Sequence, residues 1–356
     1  MKLINKISLF LIILLVVIVP IIVISLNYKT NKLIEQNAAA AQSYSKTSAE
    51  NKAKLENEYN KISKEIPGIV CIGSDQMAST NTVQTKLVND LQTKLENEGY
   101  KIPLVNLAVP QENTLTILGR IGVIPFVVDE TVTIPSKADL IDIKIKSSED
   151  GYVWPLAVGS DNSHINPVTI GDMTGMIGGD SVRDPNTGEN KHYFVRSEDG
   201  EPFTIPAGSI INTSCDDEYN DYVHIIWIGE NDEWSDYNDL ADYIEEIIDS
   251  CGKNKNRYLV LGLIKGNGET MADYDELMNE RFGSHYLNVR KFLSGYDLSK
   301  TNISFDNNDK EQQKHGIVPK CMLQNNGNLN DDAYKILVDY VYDGLIANDC
   351  IRKPMS

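Results

Sequence analysis

The stretch Tyr222-Val-His-Ile-Ile-Trp-Ile-Gly-Glu-Asn-Asp232 decides the architecture. From Tyr222 to Ile228 only His224 interrupts a run of apolar and aromatic residues, the composition of a strand buried on both faces of a parallel sheet. Gly229 ends the run at a turn. Asn231 then stands where a short polar side chain reaches the carboxyl edge of the sheet, which is where open α/β sheets bind their ligands. Gly-Glu-Asn-Asp is also ordinary turn chemistry, so this stretch alone leaves function open.

Outward from this strand the same signature recurs. Gly68-Ile-Val-Cys-Ile-Gly73, Pro103-Leu-Val-Asn-Leu107, Arg257-Tyr-Leu-Val-Leu-Gly-Leu-Ile264 and Tyr286-Leu-Asn-Val289 are short apolar runs. Between the first two, Val83, Leu87, Val88, Leu91 and Leu95 recur at helical spacing, and Gly99 stops the helix. Leu240, Tyr243, Ile244 and Ile247 mark a second helix ending at Gly252. A third lies near residues 270–282. A last one starts around Asn330 and carries Tyr334, Leu337, Val338, Val341 and Leu345. Alternating strands and helices predict a parallel sheet covered on both faces, a three-layer α/β domain over residues 68–119 and 222–348 with a short tail at 349–356.

Residues 120–221 read differently. Ile141, Ile143 and Ile145 alternate with Asp142, Lys144 and Lys146, the period of one half-exposed strand. Further short runs, Phe126-Val-Val128, Val168-Thr-Ile170, Tyr193-Phe-Val195, Phe203-Thr-Ile205 and Ser209-Ile-Ile211, are separated by Gly, Pro, Asn and Asp. The expectation is an inserted all-β domain, a small barrel or sandwich. Within it Gly178-Gly-Asp-Ser-Val182 reads as a turn, with no strand before it and no helix after it.

Residues 7–26 are nearly all apolar, broken by Ser8, Pro20 and Ser25. Roughly twenty helical residues span about 30 Å, the hydrocarbon thickness of a bilayer. Lys2 and Lys6 precede the run and favour a cytoplasmic N-terminus, although Lys29 and Lys32 behind it weaken the asymmetry. Ala38-Ala-Ala-Ala41 lies too far downstream for a cleaved signal peptide. Residues 1–27 therefore read as a cytoplasmic tip and transmembrane signal anchor, and residues 28–67 as a polar helical stalk. The C-terminal domain then lies outside the cytoplasm. A net charge of −18 excludes a nucleic-acid partner, whose phosphates need Lys and Arg. Cys71, Cys215, Cys251, Cys321 and Cys350 show no Cys-x-x-Cys spacing for zinc, and an odd number outside the cell leaves at least one thiol free or paired between chains.

In their order these segments resemble the SGNH or GDSL-type hydrolases, flavodoxin-like serine esterases and lipases. The family's Gly-Asp-Ser after the first strand is matched by Gly73-Ser74-Asp75, and its Asn-x-Gly after the second by Asn106-Leu-Ala108. Its Gly-x-Asn-Asp is matched by Gly229-Glu-Asn231-Asp232, and its Asp-x-x-His by Asn325-Asn-Gly-Asn328 ahead of Leu-Asn-Asp-Asp-Ala-Tyr334. Arg120-Ile-Gly-Val-Ile-Pro125, Thr133-Ile-Pro135 and Ile205-Pro-Ala-Gly208 look like those of bacterial and phage-associated members with a β domain at this point. The resemblance runs from residue 68 to about 348.

It implies a site whose chemistry has changed. The family's nucleophile falls on Asp75, its orienting acid on Asn325, its base on Asn328, and an oxyanion-hole glycine on Ala108. Asn231 alone keeps the family residue. An amide is no general base near neutral pH, and a serine hydroxyl without a base is a weak nucleophile. Ser74 is one residue early, a shift that turns a strand side chain to the opposite face. His224, inside the central strand, reads as a hydrogen-bonded core residue. His164 and His192 belong to the insertion, His285 begins a short strand and His315 sits in a polar loop; none has the spacing of a partner for Ser74. Ser74, Asp75, Asn231, Asn325 and Asn328 would form an oxygen-rich set with one carboxylate, too few for tight cation binding. Asp216-Asp-Glu218 and Asp184-Pro-Asn-Thr-Gly-Glu189 read as solvated turns, and neither metal nor cofactor is assigned. The expectation is a membrane-anchored, extracytoplasmic, SGNH-like pseudoenzyme that binds cell-envelope or environmental carbohydrate. Tyr152, Trp154, Trp227 and Trp234 are its candidate stacking residues, with Trp227 better suited to the core. Two alternatives stay open: an active carbohydrate O-acyl esterase or lipase with Ser74 as nucleophile, and a structural surface protein that assembles with another chain.

Overall fold

The computed structural model describes residues 66–78, 86–149, 151, 153, 156, 165–179, 191–215 and 218–351. The expected anchor and stalk up to residue 65, Val83, Tyr152, Trp154, His164, the turn at 184–189, Asp216 and the tail from 352 lie outside the described residues. Among the described residues no helix is long and apolar enough to cross a membrane.

The α/β part begins with β1 (Ile69–Gly73), α1 (Lys86–Asn97), β2 (Leu104–Asn106) and α2 (Thr114–Arg120). The insertion follows with β3 (Phe126–Val128), β4 (Val132–Ile134), β5 (Ile141–Ile143), β6 (Ile145–Ser147), β7 (Val168–Ile170), β8 (Met173–Gly179), β9 (His192–Arg196), β10 (Phe203–Ile205) and β11 (Ile210–Ile211). The chain returns through β12 (Val223–Trp227), α3 (Tyr237–Ser250), β13 (Tyr258–Leu261), α4 (Ala272–Phe282), β14 (Tyr286–Leu287), α5 (Val289–Ser294), α6 (Asn307–Lys314) and α7 (Asp331–Ala347).

The main sheet has five parallel strands in the order β14-β13-β12-β1-β2. This is a mixed α/β fold, and its strand order is compatible with a flavodoxin-like one. Alternation along the strands divides the core. Ile69, Cys71, Val223, Ile225 and Trp227 pack with α1 and α7, whereas Val70, Ile72, Ile226 and Val260 pack with α2, α3 and α4. Asn113, Asp236 and Asn330 cap α2, α3 and α7 with their side chains, satisfying N–H groups that the first turn of a helix leaves unpaired. Trp227 lies in the core at 1% exposure, and Trp234 is tied by its indole N–H to the Gly229 carbonyl at 2.9 Å. Trp227 therefore offers no face to a ligand, whereas Trp234 is half-buried. His224 is buried, with Nδ1 3.0 Å from the Tyr222 carbonyl.

Gly229 makes the turn at the end of β12 with φ +95°, a conformation that L side chains rarely adopt. A Cβ there would sit 2.8 Å from Leu240 Cδ2. Gly229→Ala should therefore lower stability by about 1–3 kcal/mol through backbone strain and overpacking, read as a lower urea midpoint at unchanged slope.

The insertion departs from expectation in three places. Ile141, Ile143 and Ile145 do not share one strand: β5 pairs with β9 and β6 with β3, in separate sheets. The chain changes sheet at Lys144, whose carbonyl accepts the Asp129 N–H at 2.8 Å, so Ile143 and Ile145 both enter one core. The strand β8 was not expected, because Gly175, Gly178 and Gly179 disguise it. Gly175 is there for close approach, since a Cβ would lie 2.3 Å from the Phe194 ring. Consequently Gly178-Gly-Asp-Ser-Val182 does follow a strand, contrary to expectation, while Asp180 and Ser181 lie outside the described residues. The third departure is α2, seven residues at the entrance to the insertion. Together β3 to β11 form three small antiparallel sheets around Phe126, Val128, Ile134, Ile143, Ile177 and Phe194.

Candidate functional site

After β1 the chain crosses to β2 on one side, and after β12 it crosses to β13 on the other. The carboxyl ends of β1 and β12 therefore flank a crevice, the place where doubly wound sheets hold ligands. Ser74, Asp75 and Gln76 follow β1, and Glu230, Asn231 and Asp232 follow β12. Asp75, Gln76, Glu230, Asn231, Lys265 and Asn328 line a cleft of about 390 Å³ floored by Ile264, Ile317, Val318 and Leu323.

The Asn231 amide is the hub. Its Nδ2 lies 2.7 Å from Asp75 Oδ2, 3.1 Å from Ser74 Oγ and 3.1 Å from the Glu112 carbonyl. Asp75 Oδ2 also accepts the Gln111 N–H at 3.0 Å. Gln111 holds φ +67°, a region uncommon for a residue with a side chain. Ser74 thus shares the Asn231 amide with Asp75 instead of facing the other way. The alternation argument fails because β1 stops at Gly73. Ser74 starts a turn in which its carbonyl accepts the Met77 and Ala78 N–H groups at 2.9 and 2.7 Å.

Two further expectations are corrected. Asn325 is exposed and lies outside the cleft lining, while its neighbours Asn326 and Gly327 line it. Asn328 does reach the cleft, but its Oδ1 accepts from Gln76 Nε2 at 3.0 Å. Gln76 Oε1 takes the Leu329 N–H at 3.2 Å, and the Tyr334 hydroxyl donates to the Gln76 carbonyl at 2.9 Å. Gln76 therefore clamps the turn after β1 to the entrance of α7. The Ala108 N–H is spent on Asn106 Oδ1 at 3.1 Å, so it does not point at a substrate oxygen as the resemblance implied. Among the described residues no histidine lines the cleft. Nor is any group of three or more His, Cys, Asp or Glu placed to hold a metal ion among them.

Behind Asn231 lies an ion pair that was not anticipated. Glu112 and Arg120 are both fully buried, with Arg120 Nη2 2.7 Å from Glu112 Oε2 and Nε 3.0 Å from the same oxygen. Burial pushes the Glu112 carboxyl upward, and the guanidinium opposes that rise. The Glu112 carbonyl receives Asn231, and the Arg120 carbonyl receives Thr213 Oγ1 at 2.7 Å from the returning end of the insertion. Glu230, in the cleft lining, accepts the Ile264 N–H at 2.8 Å, and burial raises its pKa. Lys265 Nζ rests between the carbonyls of Glu230 and Asp232, 3.3 Å from each. The sequence offered one signal for these residues. Gln111-Glu-Asn-Thr114 is a polar cluster just beyond β2, hence at the same sheet edge as Ser74 and Asn231.

No protein-family model matches this chain, and no curated protein matches it. Among solved structures the chain is faintly similar to TesA. The identity is 11% and the TM-score 0.36, over 79% of this chain and 99% of that one. A likeness this weak assigns no family and no role to any residue.

Proposed function

We propose that the protein is a membrane-anchored, extracytoplasmic binding protein with an SGNH-like domain, and that the cleft takes carbohydrate without turning it over. The carrying observation is the Asn328–Gln76 amide pair: the position that would need a general base holds an amide already committed to another amide. Around it Asn231 Oδ1 and Asn328 Nδ2, which carry no hydrogen bond among the described residues, remain for a ligand in a lining that includes Ile264, Ile317 and Val318. Such a surface matches the hydroxyls and C–H faces of a sugar ring. The test is isothermal titration of the purified full chain in detergent with neutral oligosaccharides, alongside an assay of acetyl-ester hydrolysis. Binding without turnover is expected. Hydrolysis lost on Ser74→Ala would replace this reading with an enzyme.

That second reading has one observation in its favour, the Ser74 hydroxyl 3.1 Å from the Asn231 amide. It requires a base beside Ser74, and among the described residues no histidine lines the cleft. A fluorophosphonate probe should accordingly leave the protein unlabelled, as judged by intact mass.

A further inference from the structure

We propose that the cleft selects a carbohydrate carrying a free amine, with Asp75 as the group that receives the ammonium; this rests on the carbohydrate reading above. Asp75 places a carboxylate in the crevice at the switch point of the sheet. Both of its hydrogen bonds, from Gln111 and Asn231, use Oδ2. Among the described residues Oδ1 receives no hydrogen bond, and no Lys, Arg or His pairs with Asp75 in a salt bridge. Lys265, a cation in the same lining, instead places its ammonium on two main-chain carbonyls of the turn after β12. The other carboxyl in the lining, Glu230, is engaged by the Ile264 N–H and held towards its neutral form by burial. Asp75 therefore has no direct ion-pair partner among the described residues, and it stands beside side-chain amides of the same lining. A carboxylate held by two fixed donors and short of a cation is pre-organised for a ligand ammonium, which makes three donor bonds with strong charge assistance. A neutral sugar would leave that carboxylate partly desolvated and unpaired, which biases the cleft against it.

The test must separate this contact from general attraction, because a net charge of −18 draws any polycation. The probe is a chitotetraose with a single free amine, compared with its fully N-acetylated form, titrated into the full chain at about 0.15 M salt. The mono-amine ligand is expected to bind at least about tenfold more tightly. Asp75→Asn keeps an acceptor for Gln111 and should erase the difference, while Glu233→Gln, an exposed charge in the following turn, should preserve it. Should Asp75→Asn fail to fold, salt titration of the natural protein decides: a preference held by the close pair with Asp75 must persist at about 0.5 M salt, whereas one due to general attraction disappears. Equal affinities, or tighter binding of the N-acetylated form, would overturn the amine preference and leave the carbohydrate reading standing. Binding of neither form would overturn both.

Discussion

Arg120→Ala should destabilise the domain by about 3–5 kcal/mol, the typical loss when one partner of a buried ion pair is removed. Both side chains of the Arg120–Glu112 pair are fully buried, so deletion strands a carboxylate where water cannot reach it. The loss should be greatest near neutral pH and shrink on acidification. A carboxyl whose folded-state pKa is raised favours the folded state at low pH and opposes it as pH climbs through that value. The double replacement Arg120→Met with Glu112→Leu should recover much of the loss, since apolar residues of similar volume substitute for buried pairs at little cost. Urea denaturation of the natural protein and the two variants at pH 5 and pH 7 checks this. A single variant as stable as the natural protein would mean that the pair contributes nothing. Because the Glu112 carbonyl positions Asn231, the single variant should also weaken ligand binding.

The second large effect is on acid stability. Burial holds the His224 pKa at about 4, well below its ordinary value of 6.5, while the hydrogen bond at the Tyr222 carbonyl partly resists that fall. Between those values the unfolded chain binds a proton that the folded chain refuses, so stability falls as pH drops from 6.5 through 4. A depression of this size corresponds to about 3 kcal/mol, fully lost below the folded value. His224→Gln keeps a donor near Tyr222 and should flatten this part of the profile. Exposed carboxylates such as Asp199 and Asp297, lowered by bonds from Lys137 and Ser299, contribute only at lower pH and are common to both proteins. Equal slopes from pH 6.5 to 4.5 in the two proteins would sink the assignment.

The sheet was legible because burial on two faces leaves a simple mark. Tyr222-Val-His-Ile-Ile-Trp-Ile228 and Gly68-Ile-Val-Cys-Ile-Gly73 can hardly be anything but interior strands, and the helices between them repeat at their own period. The helix α2 escaped notice because Thr-Leu-Thr-Ile-Leu-Gly-Arg is shorter than two clear periods and carries Thr and Gly, both weak helix formers. Strand β8 was hidden by its glycines, of which Gly175 makes room for Phe194, a residue about twenty positions away. The site was half legible. Asp75 and Asn231 lie at the expected sheet edge, because strand ends dictate where following residues go, and Asn328 joins them from the loop ahead of α7. Gln76, Glu112 and Arg120 were not, since nothing local tells a buried polar partner from a solvated one. Ser74 shows the limit of the two-residue period: it holds only while the strand continues, and here it ends one residue earlier.

The hydrogen bond from Thr213 to the Arg120 carbonyl joins the point where the chain leaves for the β insertion to the point where it comes back. A long excursion whose two feet already touch is topologically a side loop. Exchanging it for a shorter or longer one alters the closure entropy by only about 0.6 kcal/mol per doubling. The module can therefore be shortened in the laboratory while the five-stranded sheet that carries the cleft keeps its core, provided that Ile121, Ile124, Cys215 and Tyr219 at the two feet, which pack into that core, are retained. Natural variation should thus concentrate in this detachable part, leaving Glu112 and Arg120 as the socket into which any replacement must fit.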